Sequence, residues 1–455
     1  MPVGVTTLSL DTISCPVFME VQNKAIAAAL HEHTLCRSVS GSADQPTVTE
    51  RASALDPNTT AWLDLTLRWI HLIAGAAWIG TSFYFNWINH HIRPPEIPRE
   101  GVSGELWSVH GGAFYRVEKF GVAPKQLPKT LHWFKWEAYL TWITGIALLI
   151  LIYYVGADLY LVDPSVSDIG SGTAITIGVG ALVGAWIIYD LLCKSPLSAR
   201  PIPFAVVVFV LATAVAFGLT RVFGSRGAYI HMGAMLGTLM AVNVFMVIIP
   251  GQRAMVDAMM KGLEPDAREG RAGALRSLHN NYMTLPVLFI MTSSHYPMAY
   301  GHAANWAILA ALALIGAITR HYFNLKGKGR ESPWILPGAA VAMIALAFVS
   351  RPSVAPSAST ASSAEHVSIE VVQAIIQEKC AVCHSANPSH PAAAAAPPDV
   401  IMDTREQIGA LAERINAVAV LSATMPLGNV TGLTQEERDV LGRWIRDGAN
   451  IGAGR

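Results

Sequence analysis

The stretch Cys380-Ala381-Val382-Cys383-His384, close to the C-terminus, decides how the last part of the chain folds. A CxxCH sequence is the attachment site of a c-type haem, because two thiols on one turn bond to the porphyrin and the adjacent histidine binds the iron. Downstream, Thr424-Met425-Pro426 supplies a methionine at a spacing suited to the second axial ligand. The stretch therefore predicts a covalent haem c held by Cys380, Cys383, His384 and Met425, with His384 and Met425 as the metal ligands.

The sequence around this motif predicts a helix on either side of it. Residues 367–377 form the first helix, and residues 434–449 open with Thr434 and Glu437 in the spacing of a capping box. Two helices around a haem, with a methionine loop between them, predict a small class I cytochrome c fold. The alternatives are a chance CxxCH in a metal-free loop and a zinc site. Zinc would need further paired cysteines or histidines, and only His390 is close in sequence.

The composition of the whole chain is that of a membrane protein. Of 455 residues, 52% are hydrophobic and only 14% are charged, which is too apolar for a soluble protein of this size. The formal net charge is zero, so no nucleic-acid partner is expected. The predicted fold class is all-α, a polytopic helical bundle in the lipid bilayer followed by the small cytochrome c domain.

Eight apolar segments are long enough to predict transmembrane helices, at 62–89, 136–155, 174–192, 202–222, 230–249, 283–298, 303–319 and 334–349. The connections after the first, third, fifth and seventh segments carry most of the lysines and arginines, which places them in the cytoplasm. Both termini then lie outside, where c-type haems are attached. The predicted location is the bacterial inner membrane, multi-pass, with the C-terminal domain in the periplasm.

Changes in composition divide the chain into four predicted segments. Residues 1–60 are a polar extension without the charged and apolar regions of a signal peptide, so they are either disordered or the product of a misassigned start codon. Residues 61–350 form the transmembrane domain. Residues 351–365, rich in Ser, Ala and Pro, form a flexible linker, and residues 366–455 form the cytochrome c domain.

Ionisable residues inside a membrane helix are candidates for function because their burial is costly unless they are used or paired. His71 lies among small residues that let a flat macrocycle or a neighbouring helix approach closely. Its segment resembles the first helix of the small membrane protoporphyrinogen oxidases, in which such a histidine binds a b-type haem. The resemblance implies a second haem held by His71 and a partner, His231 or His295. Histidines hydrogen-bonded to neighbouring helices are the alternative.

A second set of polar residues gathers at the cytoplasmic ends of the predicted helices. Glu137, Arg253, His279, Asn280 and Asn281 offer hydrogen-bond donors and acceptors on planar groups, and arginine can pair bidentately with an anionic edge. A planar, polar, anionic heterocycle would suit these side chains. Helix capping and interfacial packing are the alternative.

Several segments of the chain resemble one enzyme family, the bacterial membrane-bound urate hydroxylases, or urate oxidases, that carry a C-terminal cytochrome c domain. They are 69–87, 104–115, 131–139, 231–253 and 276–297, and the resemblance covers about 62–448 together with the order of bundle, linker and CxxCH. It implies oxidation of urate to 5-hydroxyisourate in purine degradation. It also implies transfer of the electrons through the c-haem to a periplasmic or respiratory-chain acceptor.

Combining the resemblance with the polar residues gives a mechanistic hypothesis. Urate binds near Glu137, Arg253, His279 and Asn280, and Glu137 or His279 removes a proton as two electrons leave. A membrane electron-transfer module, which takes electrons from a quinol or a dehydrogenase without urate chemistry, is the main alternative. A transporter is disfavoured because the sequence has no pair of broken helices or inverted repeat.

Overall fold

The computed structural model of the chain describes residues 56–120, 128, 130–330, 332–351, 366–390, 393, 396 and 398–452. The predictions for the polar extension, up to residue 55, and for the linker at 352–365 lie outside the described residues. Below, the N-terminal region means 56–351 and the C-terminal region means 366–452.

Most of the described chain is α-helical, as the sequence predicts. The helices of the N-terminal region are α1 (Pro57–His91), α2 (Trp136–Leu148), α3 (Ala157–Tyr160), α4 (Ser171–Lys194), α5 (Pro201–Leu219), α6 (Ser225–Val242), α7 (Ile249–Met260), α8 (Ala267–Ser293), α9 (Pro297–Tyr300), α10 (Asn305–Gly327) and α11 (Ile335–Val349). Those of the C-terminal region are α12 (Ile369–Lys379), α13 (Arg405–Ala410), α14 (Ala412–Ile415) and α15 (Gln435–Arg446). Short π-helical segments follow α2 (Leu149–Tyr154), α6 (Asn243–Ile248) and α14 (Asn416–Leu421).

Five of these helices are long and apolar enough to cross a membrane, which is consistent with a membrane protein. They are Trp136–Tyr154, Ser171–Lys194, Pro201–Leu219, Ser225–Met260 and Asn305–Gly327. The first, sixth and eighth predicted spans are helical but are not among the five. In α8 the helix begins well before the apolar segment, because Asp266 caps it by accepting a hydrogen bond from the Arg268 backbone (2.8 Å).

A β-hairpin corrects the all-α prediction. Strand β1 (Val102–His110) pairs antiparallel with β2 (Ala113–Phe120), and His110 lies opposite Ala113. The connecting residues Gly111 and Gly112 both have positive φ, +58° and +79°. Two-residue turns of this kind match the twist of paired strands, and glycine adopts them without steric cost. The Gly-Gly pair was the signal for this hairpin in the sequence.

The C-terminal region has a hydrophobic core of its own. Its fully buried side chains include Val372 and Ile376 from α12, Ile408 from α13, and Leu441 and Trp444 from α15. The two predicted helices are confirmed as α12 and α15, and both hydrogen bonds of the Thr434 capping box are present. This core holds the CxxCH turn and the methionine loop in one compact unit.

Candidate functional site

The CxxCH stretch forms a single turn at the C-terminal end of α12. The backbone of Cys380 donates to the Ile376 carbonyl (2.8 Å), and those of Cys383 and His384 both donate to the Cys380 carbonyl (3.0 and 2.9 Å). This turn places the two thiols and the imidazole next to one another. Both cysteines are free thiols.

The local environment of the turn keeps its side chains uncharged. Burial raises the pKa of the Cys380 thiol to about 11 and also raises the pKa of Cys383. Burial lowers the pKa of the His384 imidazole, which favours the neutral ring that binds iron. Two neutral thiols and a neutral imidazole on one turn fit a covalent haem c.

The loop that carries Met425 is fixed by a buried arginine that the sequence prediction missed. Arg438 of α15 is buried, and its Nη1 donates to the carbonyls of Met425 (2.8 Å) and Ala419, while Nη2 donates to Oδ1 of Asn429 (3.3 Å). Burial lowers the pKa of this guanidinium, and the carboxylate of Asp163 opposes that shift. Arg438 precedes Leu441 by three residues on the same helix, so helical spacing already placed it on the inward face.

The same loop packs against the N-terminal region. Gly428 has a positive φ of +54°, and a Cβ on it would lie 3.0–3.3 Å from the backbone oxygens of Val162, Asp158 and Leu159. A small cavity at this junction is lined by residues of both regions, including Tyr160, Arg226, Tyr300 and Thr424. A side chain here would require these backbone oxygens to move, so Gly428 marks a close contact between the two regions.

His279 of the predicted site lies in a polar cluster among α4, α5, α6 and α8. Its Nδ1 is 2.9 Å from the Tyr189 hydroxyl and 3.7 Å from Sγ of Cys193, and its ring stacks on Phe204 with the ring centres 4.7 Å apart. We call the following residues, which this paragraph and the next describe, the Arg276 cluster: Tyr189, Asp190, Cys193, Phe204, Asn243, Arg276, His279 and Asn280.

Asn280 joins the same cluster through Asn243, at the start of the π-helical segment after α6. Asn243 Nδ2 donates to Asn280 Oδ1 (2.8 Å) and to the Tyr189 hydroxyl (3.1 Å), and Arg276 donates to Asn243 Oδ1 (3.3 Å). The buried Arg276 also forms an ion pair with Asp190 (2.5 Å). Arg276 therefore has a protein counter-ion, and the cluster is largely satisfied by its own hydrogen bonds.

The other two predicted site residues, Glu137 and Arg253, make no polar contact with the Arg276 cluster in the described structure. Among the described residues, no hydrogen bond or ion pair joins either of them to His279 or Asn280. Arg253 is exposed and lies over the Trp133 ring, 6.0 Å from its centre. Glu137 is half-buried, and its Oε2 has no hydrogen-bond partner in the described part of the chain.

Asn281, the next residue of α8, turns to a third group of polar residues. Its Oδ1 accepts hydrogen bonds from Arg320 Nε (2.9 Å) and Asn324 Nδ2 (2.9 Å), both from α10. The guanidinium of Arg320 lies over the Phe83 ring of α1, 4.1 Å from its centre. We call these four residues the Arg320 cluster. Of the four, only Asn281 was among the polar candidates from the sequence, and none was placed in the predicted urate site.

His71 and His231 each use Nδ1 for a contact with a helix backbone. Nδ1 of His71 is 2.9 Å from the Thr141 carbonyl and 3.1 Å from the Thr144 hydroxyl, so this ring lies against α2. His231 is fully buried, and its Nδ1 is 2.8 Å from the Gly227 carbonyl.

The ring of His231 is enclosed by aromatic side chains and by α4. The rings of Tyr154 and Phe223 have their centres 5.7 and 4.8 Å from it, and a Cβ on Gly178 would lie 2.7 Å from its Nε2. Nε2 of His231 is buried and has no hydrogen-bond partner in the described part of the chain. The haem between His71 and His231 stays a prediction, and no step of the reaction is assigned to it.

The fold and these sites define a class: a largely helical protein with apolar helices long enough to span a membrane, polar side chains buried among them, and a C-terminal CxxCH turn. The sequence profile of the urate oxidase N-terminal family matches residues 57–351, which is more than half of the chain. The chain therefore belongs to this family, and its function is urate-related and consistent with an oxidoreductase. Comparisons with curated proteins and with solved structures give no match.

Proposed function

We propose that the chain is a membrane-bound urate hydroxylase that oxidises urate to 5-hydroxyisourate and passes the electrons through a haem c bound at Cys380, Cys383, His384 and Met425. The family match over 57–351 carries the proposal, because it supports urate as the substrate of the helical region. The CxxCH turn supports an electron carrier in the same chain. The proposed setting is the bacterial inner membrane, with the C-terminal region in the periplasm.

The reaction balances with water as the oxygen donor. Urate loses two electrons and two protons, water adds at C5, and 5-hydroxyisourate leaves. Haem c, when bound, supplies a one-electron acceptor outside the helical region. The task of the protein side chains is then to bind the anion, orient C5 toward water and take up protons.

Two side chains are suited to accept a proton. Glu137 has a half-buried carboxylate oxygen without a partner among the described residues, so it can bind a proton without breaking a hydrogen bond. His279 uses Nδ1 toward Tyr189, and its Nε2 has no partner in the described part of the chain. Glu137 is the stronger candidate because its Oε2 is buried without a partner, whereas the ring of His279 is held by Tyr189 and Phe204.

The contact of the Met425 loop with the N-terminal region supports an electron exit at this surface. Behind the surface, aromatic rings continue into the helical region: Tyr160 lines the junction, its ring centre is 6.1 Å from that of Tyr153, and Tyr153 is 6.3 Å from His231. A haem c held by the C-terminal region would then accept electrons across this contact, without diffusion of a free domain.

Measurement of 5-hydroxyisourate and of hydrogen peroxide in isolated membranes tests the proposal. Membranes that contain the chain should convert urate to 5-hydroxyisourate in the presence of an added oxidant of cytochrome c, with no hydrogen peroxide formed. Peroxide in proportion to urate consumed would show that oxygen, and not the C-terminal region, receives the electrons. No urate consumption with any oxidant would remove urate as the substrate.

A further inference from the structure

The Arg320 cluster contains a buried cation without a compensating anion. Arg320, Asn281 and Asn324 are only 8%, 6% and 7% exposed. No carboxylate among the described residues lies within ion-pair distance of Arg320. Its Nη1 and Nη2 have no protein hydrogen-bond partner there and are not among the fully buried atoms, so they stay accessible to solvent or to a ligand. Its one hydrogen bond, from Nε, goes to the neutral amide oxygen of Asn281.

The other two buried arginines of the described chain are compensated. Arg276 pairs with Asp190, and Arg438 donates to two backbone carbonyls and to Asn429. Removal of a charge from water without a partner is costly, and such charges are normally paired or neutralised. The contrast indicates that the partner of Arg320 is not part of the protein.

A second buried group in the cluster is also without a partner. The Nδ2 amide of Asn281 is buried and has no hydrogen-bond partner in the described residues, while its Oδ1 is already used twice. The free groups are therefore donors: the guanidinium fork of Arg320 and the Asn281 amide. These donors lie beside the flat ring of Phe83. A site of this kind suits a planar anion with carbonyl oxygens on its edge.

We propose that Arg320 and Asn281 bind the anionic edge of the substrate, so that urate is held on the α10 side of α8 and not in the Arg276 cluster. This inference rests on the proposed function, since it takes urate as the anion. Asn324 is a positioning residue, because it fixes the Asn281 amide from the oxygen side. Phe83 supports the guanidinium from below.

Urate binding, measured apart from turnover, tests the inference. Protein fully reduced with dithionite cannot oxidise urate, so equilibrium dialysis with urate then gives an affinity. Arg320→Gln should weaken binding by at least about tenfold, because a charge-assisted hydrogen bond is lost, and Arg320→Lys should restore part of it. Arg221→Gln is the matched control: Arg221 also lies over a phenylalanine ring, but on the protein surface.

Asn281→Asp provides a variant that should still fold. A carboxylate at this position would pair with Arg320 and supply the missing negative charge, so the unliganded variant should melt no lower than wild type while urate binding is lost. Urate should raise the melting temperature of wild-type protein and of Arg221→Gln, but not that of Arg320→Gln or Asn281→Asp.

The outcomes separate this inference from the proposed function. If wild-type protein oxidises urate, and Arg320→Gln and Asn281→Asp bind it as tightly as wild type, the inference is wrong and the function stands. If wild-type protein neither binds nor oxidises urate, the function fails first. Stabilisation of the wild type by an anionic phospholipid, lost in Arg320→Gln while urate affinity is unchanged, would assign the cation to a lipid headgroup and overturn the inference.

Discussion

Two arginine clusters lie on either side of α8, and they differ in one component. In the Arg276 cluster, Asp190 neutralises the guanidinium, and Tyr189, Asn243, His279 and Asn280 satisfy one another. In the Arg320 cluster, the guanidinium contacts an amide oxygen and an aromatic ring, and no carboxylate in the described part of the chain pairs with it. A network whose donors are all used within the protein stabilises the helices around it. A network with unused donors can still bind a ligand. Both arginines are buried, so the two clusters differ in whether a carboxylate compensates the arginine charge.

The largest loss of stability should follow from removing the carboxylate that compensates Arg276. Asp190→Asn keeps the shape of the side chain but leaves Arg276 buried without a counter-ion, which should cost about 3–5 kcal/mol of stability. Thermal unfolding in detergent measures the loss. Lys194→Gln is the control, because Lys194 also pairs with Asp190 but its side chain is 70% exposed, so its loss should cost under about 1 kcal/mol. Equal melting temperatures for the two variants would mean that the Arg276–Asp190 pair does not stabilise the cluster.

The third buried arginine provides a second comparison. Arg438→Gln removes charged hydrogen bonds to the backbone around Met425 and should destabilise the C-terminal region by about 2–3 kcal/mol. It should also release the methionine, which is seen as loss of the methionine–iron charge-transfer band and a lower reduction potential. Arg443→Gln, on the exposed face of the same helix, is the control. An unchanged spectrum and potential in Arg438→Gln would show that the loop holds Met425 without this arginine.

The contact between the two regions should respond to a single methyl group. In Gly428→Ala the new Cβ would meet three backbone oxygens of the N-terminal region, and reduction of the haem by urate should slow by at least about tenfold. Gly432→Ala carries the same strain of a positive φ (+63°) but meets no atom within 4 Å, so it should behave as wild type. Reduction by ascorbate should be equal in both. A similar rate with urate in the two variants would rule out this surface as the electron exit.

The smallest effect is expected inside the Arg276 cluster. Tyr189→Phe removes the hydroxyl that contacts His279 and Asn243, and it should cost about 1–2 kcal/mol of stability. Its effect on urate affinity should be well below that of Asn281→Asp, as measured by the same dialysis. A larger loss of affinity in Tyr189→Phe would return urate to the Arg276 cluster.

The sequence predicted the helices well and the contacts of the polar residues poorly. Apolar runs and the Thr434 capping box are local signals, so they identified the eight helical segments and the two C-terminal helices. The hairpin at Gly111-Gly112 was missed because neither of its strands contains a long apolar run. Helix α8 was predicted too short because its first half is polar and is held by packing and a cap.

Local sequence signals could not show which partners the polar residues of the candidate site contact. Neighbouring residues on a helix point about 100° apart, so His279, Asn280 and Asn281 meet different helices although they adjoin in sequence. Asp190 and Arg320 acquire their roles only through residues that are distant in the chain, and no short-range spacing reveals which arginine receives a carboxylate. The order of helices in space decides this, and it requires the tertiary structure.

The central claim is that urate delivers electrons to the haem within one chain. The most direct measurement is anaerobic addition of urate to purified, oxidised protein in detergent while the haem absorption spectrum is followed. The account predicts prompt reduction of the c-haem by urate in the absence of quinone. No reduction by urate, together with prompt reduction by a quinol, would contradict it and show that the chain is an electron-transfer module without urate chemistry.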